Sequence, residues 1–140
     1  MENKIKIQDL SVGDWVCVEE MVGVHNEPRH TPPMKIVALG EDWVQLRLDP
    51  EQGDPFEYDI SEIRGVGITP EILKSQGFIF EWGHRDYLRY RYSAAYLERR
   101  SENMWGFSSV YHHLTTISLR FVHQLQQALR LAGIEKEFEL

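Results

Sequence analysis

The chain has 140 residues, 42% of them hydrophobic and 16 of them aromatic, which is enough to bury an interior and argues against a disordered chain. No apolar run approaches the length of a membrane span, and the Met1-Glu2-Asn3-Lys4-Ile5-Lys6-Ile7 start lacks the apolar core of a signal peptide, so a cytoplasmic location without membrane association is expected. The lone cysteine, Cys17, excludes an internal disulfide and a cysteine-based metal cluster. The net charge of −7 is unevenly spread: residues 1–84 carry 7 basic and 16 acidic side chains, whereas residues 85–100 carry five arginines and two acids. Only the second stretch offers a polyanion a place to dock.

In chain order, Ile5 and Ile7 alternate with polar residues and predict a short strand ending at Asp9-Leu10. Ser11-Val12-Gly13-Asp14 is a turn whose glycine lets the chain bend into a second strand, Trp15 to Glu19. Met21 to Pro33, with Gly23, Asn26 and three prolines, predicts a long exposed loop. Lys35 to Leu39 and Trp43 to Leu48 form a hairpin around Gly40-Glu41-Asp42. Asp49 to Pro55 is a second loop, followed by a strand through Phe56, Tyr58 and Ile60. Ser61-Glu62-Ile63 predicts a tight turn into a closing strand, Gly65 to Ile68. Short, closely spaced strands of this kind suit a small SH3-like barrel.

Thr69-Pro70-Glu71 is a clear helix start, with a capping hydroxyl, a proline suited to the first turn and an acid at the positive end of the dipole. Gly77 stops that helix. Phe78 to Trp82, Tyr87 to Tyr92, Met104 to Tyr111 and Thr115 to Arg120 predict an antiparallel meander, with Arg99 to Asn103 as its most exposed turn. Val122, Leu125, Leu129 and Ala132 then recur at helical spacing in a second helix, 121–132, closed by Gly133. The expected fold is α+β: an SH3-like barrel lobe over 1–68, then an α+β lobe over 69–140 of helix, meander and C-terminal helix, the two small enough to share a core.

Asp9-Leu10-Ser11-Val12-Gly13-Asp14-Trp15-Val16, Ile68-Thr69-Pro70-Glu71-Ile72-Leu73 with Gly77-Phe78, and Val122-His123-Gln124-Leu125-Gln126 occur in an order that resembles a group of small proteins from Bacteroidetes genomes and their phages or mobile elements. The likeness spans nearly the whole chain, and its last string is the most distinctive. It implies a bacterial or phage cytoplasmic context and supplies no catalytic residues to carry over.

Catalytic chemistry finds little support in the residues. Cys17 lies within a strand, away from a helix start that would lower its pKa, and no Gly-x-Ser-x-Gly elbow surrounds Ser108 and Ser109. Adjacent strand residues His112 and His113 point to opposite faces and cannot share an ion. His25 and His30, with Glu27, could wrap a metal, but surface histidines are the expected reading. Neither a cofactor nor a metal is expected, and the protein is not expected to be an enzyme.

Arg85, Arg89, Arg91, Arg99 and Arg100 interleave with Tyr87, Tyr90, Tyr92 and Tyr96. On a strand, Tyr87, Arg89 and Arg91 share one face and Leu88, Tyr90 and Tyr92 the other. Three readings follow, in order: a strand with an aromatic core face and a charged solvent face, a protein-binding surface rich in Tyr and Arg, and a single-stranded nucleic-acid platform over 85–100. Glutamates and aspartates of the front lobe are the expected partners of these arginines. Trp43 and the 21–33 loop offer a barrel-side alternative surface. His123, with Gln124, Gln126 and Gln127, forms either a polar recognition strip or a packing contact between helix and sheet, the latter being expected. Together these readings point to a non-enzymatic interaction module with a protein partner, nucleic-acid binding as the alternative and self-association open.

Overall fold

The computed structural model describes residues 4–48, 53–84, 87–110 and 112–140, with 112–115 described through their backbone only. Arg85, the side chains of His112 and His113, and positions 49–52 of the expected second loop lie outside the described residues. The fold is mixed α+β, mostly antiparallel strands with two short helices. It divides into two compact units, Met1–Val66 and Gly67–Leu140.

The first unit is built around strand β1, Trp15–Val22. Its start is fixed by the Ser-Val-Gly-Asp turn. Gly13 has φ +96, and the fully buried Asp14 carboxylate accepts the Ser11 amide at 2.9 Å. The same turn grips the neighbouring strand, because the Gly13 amide donates to Ile36 O and the Ile36 amide donates to Asp14 O. The segment before it differs from the expected strand: Ile7–Asp9 is one turn of 3-10 helix. Ile5 and Ile7 still pack on the core, so their alternation reported burial and not extension.

The expected 21–33 loop is instead a hairpin. β1 continues through Val22, turns at Gly23 (φ +80) and Asn26 (φ +50), and returns as β2, Glu27–His30. Pro28 sits in that strand opposite Met21, on an exposed strand where a missing N–H is tolerated. Polar composition and prolines hid this strand. Thr31 then takes the place of a ladder partner, donating its amide to Val18 O and accepting the Val18 amide on its hydroxyl, both at 2.9 Å.

β3 (Met34–Leu39) and β4 (Trp43–Arg47) form the expected hairpin, and β5 (Phe56–Asp59) pairs with β4. A 3-10 turn over Ile60–Glu62, capped by the Asp59 carboxylate on the Ser61 amide, leads to β6, Ile63–Gly65. The closing strand therefore begins and ends earlier than the expected Gly65 to Ile68. Val16 pairs with Met34 of β3 and with Gly65 of β6, so β3 and β6 lie on opposite edges of β1 and the sheet curls. Leu10, Val16, Val18, Met34, Ile36, Val44, Leu46 and Ile63 form the core of this unit. Arg64 fastens the closing strand: its guanidinium meets Glu19 Oε2 at 2.6 Å and donates to the carbonyls of Ser61 and Ile63.

The second unit opens with α1, Pro70–Ser75, where Thr69 Oγ1 accepts the Ile72 amide. Gly77, at φ +87, ends it, and the Phe78 amide returns to Leu73 O. A five-stranded meander follows in sequential order: β7 (Ile79–His84), β8 (Tyr87–Tyr92), β9 (Ala95–Ser101), β10 (Met104–Ser109) and β11 (His112–Leu119). β9 is a strand the sequence does not announce, since Ala95, Leu97, Glu98, Arg99 and Arg100 are good helix formers. The expected turn at Arg99 to Asn103 shrinks accordingly, because Arg99 to Ser101 belong to β9. Tyr90, Leu97, Phe107 and Trp105 are buried on the meander. α2, Val122–Leu131, is buried through Val122, His123, Leu125, Gln126, Ala128 and Leu129. The chain after it is held by Gln76, whose side-chain amide donates to Glu139 O and accepts the Glu139 amide.

Candidate functional site

Register places Tyr87, Arg89, Arg91 and Tyr96 on one face of the meander. Ile79 of β7, Arg91 of β8, Tyr96 of β9 and Ser108 of β10 lie in one cross-strand row, and Arg89, Glu98 and Gly106 in the next. The ladder between β7 and β8 is irregular between Phe80 and Trp82, with one extra residue, Glu81. Phe80 stays opposite Tyr90 on the other face, their rings 5.4 Å apart. Beyond it, Trp82 pairs with Arg89, and the Glu81 carboxylate reaches that same arginine. The bulge thus delivers a carboxylate and an indole, consecutive in sequence, to one face.

Charges on this face alternate. Arg89 Nε lies 3.1 Å from Glu81 Oε1 and its Nη1 lies 3.0 Å from Glu98 Oε1. Arg91 approaches Glu81 Oε2 at 3.8 Å, and Arg100 approaches Glu98 Oε2 at 3.9 Å. The carboxylates that pair with Arg89, Arg91 and Arg100 thus come from this sheet: Glu81, which belongs to the acidic 1–84 stretch, and Glu98, which lies among the arginines themselves. The Arg89 guanidinium also lies 4.4 Å over the Tyr96 ring. Tyr87 donates its hydroxyl to Glu98 Oε2 at 3.0 Å, and this bond to a carboxylate holds its pKa above the usual tyrosine value. Its ring packs against Trp82 at 5.2 Å. Gly106 belongs to the same arrangement, because a Cβ there would come within 2.8 Å of Arg100 Nε.

Alongside the charges the face keeps large side chains in solvent: Ile79 is 59% exposed, Trp82 48% and Tyr87 44%. Tyr87, Arg89 and Arg91 are thus brought together as expected. Glu81, Trp82 and Glu98 complete the group, and sequence reasoning missed them. Their signal was available only through the register, since one extra residue in β7 decides where Glu81 and Trp82 point.

The other expected site residues have structural surroundings. Trp43 lies in the first unit, partly buried, with its indole against Gly40, where it leaves no room for a Cβ. His123 is buried and its ring stacks on Phe121 at 5.7 Å, so it presents no recognition strip. Gln124 caps its own helix, its Oε1 accepting the amides of Arg120 and Phe121. The Cys17 thiol is buried, with its Sγ 3.6 Å from Arg64 O, and burial pushes its pKa up, away from the thiolate. His30 stands 4.0 Å from Glu19 in exposed β2. Among the described residues no three His, Cys, Asp or Glu side chains converge as metal ligands, and no helix is long and apolar enough to cross a membrane.

Comparison with protein-family models, curated proteins and solved structures returns no match. Function is accordingly read from the geometry of this face.

Proposed function

We propose that the protein is a non-enzymatic protein-binding module, acting through the Trp82, Tyr87, Arg89 and Arg91 face of its second unit. The observation that carries the reading is the bulge in β7, which adds an exposed tryptophan to a surface already holding an exposed tyrosine and ion-paired arginines. Trp, Tyr and Arg are the residue types that dominate binding energy at protein interfaces. Arginines held by Glu81 and Glu98 are also fixed in place before a partner arrives, which lowers the ordering cost of association. Nucleic acid is the weaker reading, because two glutamates interleave with Arg89, Arg91 and Arg100 and cancel most of their field.

For the first unit we propose an SH3-like barrel. Supporting this are β1 flanked by β3 and β6, and the 3-10 turn that precedes the closing strand. A bacterial or phage origin and a cytoplasmic location rest on the sequence landmarks and the lone cysteine. The test is capture of partners from host lysate in mild salt by the wild type, by Trp82→Ala with Tyr87→Ala, and by Arg89→Ala with Arg91→Ala. A stoichiometric protein lost in both double variants is the expected result. A partner retained by both would sink the assignment of this face, and recovered nucleic acid that washes off with salt would favour the alternative.

A further inference from the structure

We propose that a groove at the Arg91 end of this face seats an apolar residue of the partner protein, with Arg91 receiving the carboxylate of an acidic residue beside it. This deepens the protein-binding reading and rests on it. The groove has a volume of about 570 Å³, and its lining includes Ile79, Val110, Tyr92, Tyr96 and Arg91. That volume lies within the range of roughly 300–1,000 Å³ typical of ligand sites. None of its described lining residues is acidic, and among them Arg91 carries the formal charge.

Arg91 is also the least engaged arginine of the paired set on β8. Its side chain is 45% exposed, and its one ion-pair partner among the described residues is Glu81 at 3.8 Å, beyond hydrogen-bond distance. Glu81 itself is committed to Arg89 at 3.1 Å. A guanidinium carries five donors in a planar fork suited to carboxylates, and a partner carboxylate offers Arg91 a closer counter-ion than its present one. The occupant is polymeric because the groove runs into the rest of the face. Ile79 lines it and stands three residues before Trp82 on β7, roughly 10 Å along a strand, so one extended segment reaches both.

The experiment follows the amide resonances of the isotope-labelled full chain during titration with three probes: a blocked hexapeptide carrying one glutamate between valines, its glutamine counterpart, and 3-phenylpropionate. The glutamate peptide should shift Gly77, Ser93, Ala94 and Val110 saturably and bind at least tenfold more tightly than the glutamine peptide. Arg91→Gln should remove that difference, and Arg91→Lys should restore part of it. Equal binding of the two peptides, or no binding of either, overturns the proposal. So does 3-phenylpropionate occupying the groove where the glutamate peptide does not, which would make it a small-molecule site. If lysate capture depends on Trp82 and Tyr87 yet survives Arg91→Gln, the groove assignment fails while the face stands.

Discussion

Glu98 illustrates how much of the arginine-bearing face depends on single carboxylates. It is about one-fifth exposed, and it accepts from Tyr87, pairs with Arg89 at 3.0 Å and approaches Arg100. Replacing it with alanine leaves Arg89 with Glu81 alone and Tyr87 without its acceptor. Glu98→Ala should cost about 1 kcal/mol in chemical denaturation, the scale of a partly exposed ion pair. It should also lower the Tyr87 pKa toward the ordinary tyrosine value, read by ultraviolet titration. The sign follows from the raised pKa: the hydroxyl-to-carboxylate bond stabilises the fold at neutral pH and is lost as alkaline pH rises through the Tyr87 pKa. Asp59 runs the other way. Its bond from the Ser61 amide lowers its pKa, so its cap on the 3-10 turn is fully present above the ordinary aspartate value and is lost as pH falls through the lowered one. A carbon-detected titration should find Asp59 still ionised at a pH where an unperturbed aspartate would be protonated.

Elements differ in how openly the residues announce them. α1 was legible because Thr69, Pro70 and Gly77 each meet a local backbone demand, and the structure uses all three. α2 was legible from its apolar spacing, and its distinctive Val-His-Gln-Leu-Gln string is explained by packing and by the Gln124 cap. β2 and β9 were hidden for opposite reasons: the one is exposed and proline-bearing, the other composed of helix formers. Both are strands because cross-strand neighbours satisfy their backbones. β9 supplies the sharper test. Leu97 is fully buried at its centre, so Leu97→Ala should cost about 2–5 kcal/mol in urea unfolding, whereas an exposed turn at this position would lose almost nothing. The candidate face was half legible. Alternation in 87–92 placed Tyr87, Arg89 and Arg91 together, but Glu81 and Trp82 depended on a register shift that no local pattern encodes.

At the scale of the whole molecule, the acidic excess and the arginine-rich stretch belong to different kinds of surface. Residues 1–84 hold most of the carboxylates, while the arginines of 89–100 are largely balanced within their own sheet. Solubility should therefore reach its minimum near the sequence pI of about 5.3. The bulge in β7 has one more consequence, for behaviour in concentrated solution. β7 ends its sheet, and Ile79, Phe80 and Trp82 are all exposed along it, a combination that in a straight strand invites copies to add edge to edge without limit. Glu81 interrupts that template twice, by breaking the regular spacing of the backbone groups and by placing a carboxylate in the middle of the run. Deleting Glu81 would leave Trp82 opposite Arg89 but straighten the edge. Sedimentation velocity should then show growing, concentration-dependent assemblies where the wild type keeps a single boundary. The residue that brings Trp82 onto the charged face thus also breaks the template along the sheet's edge.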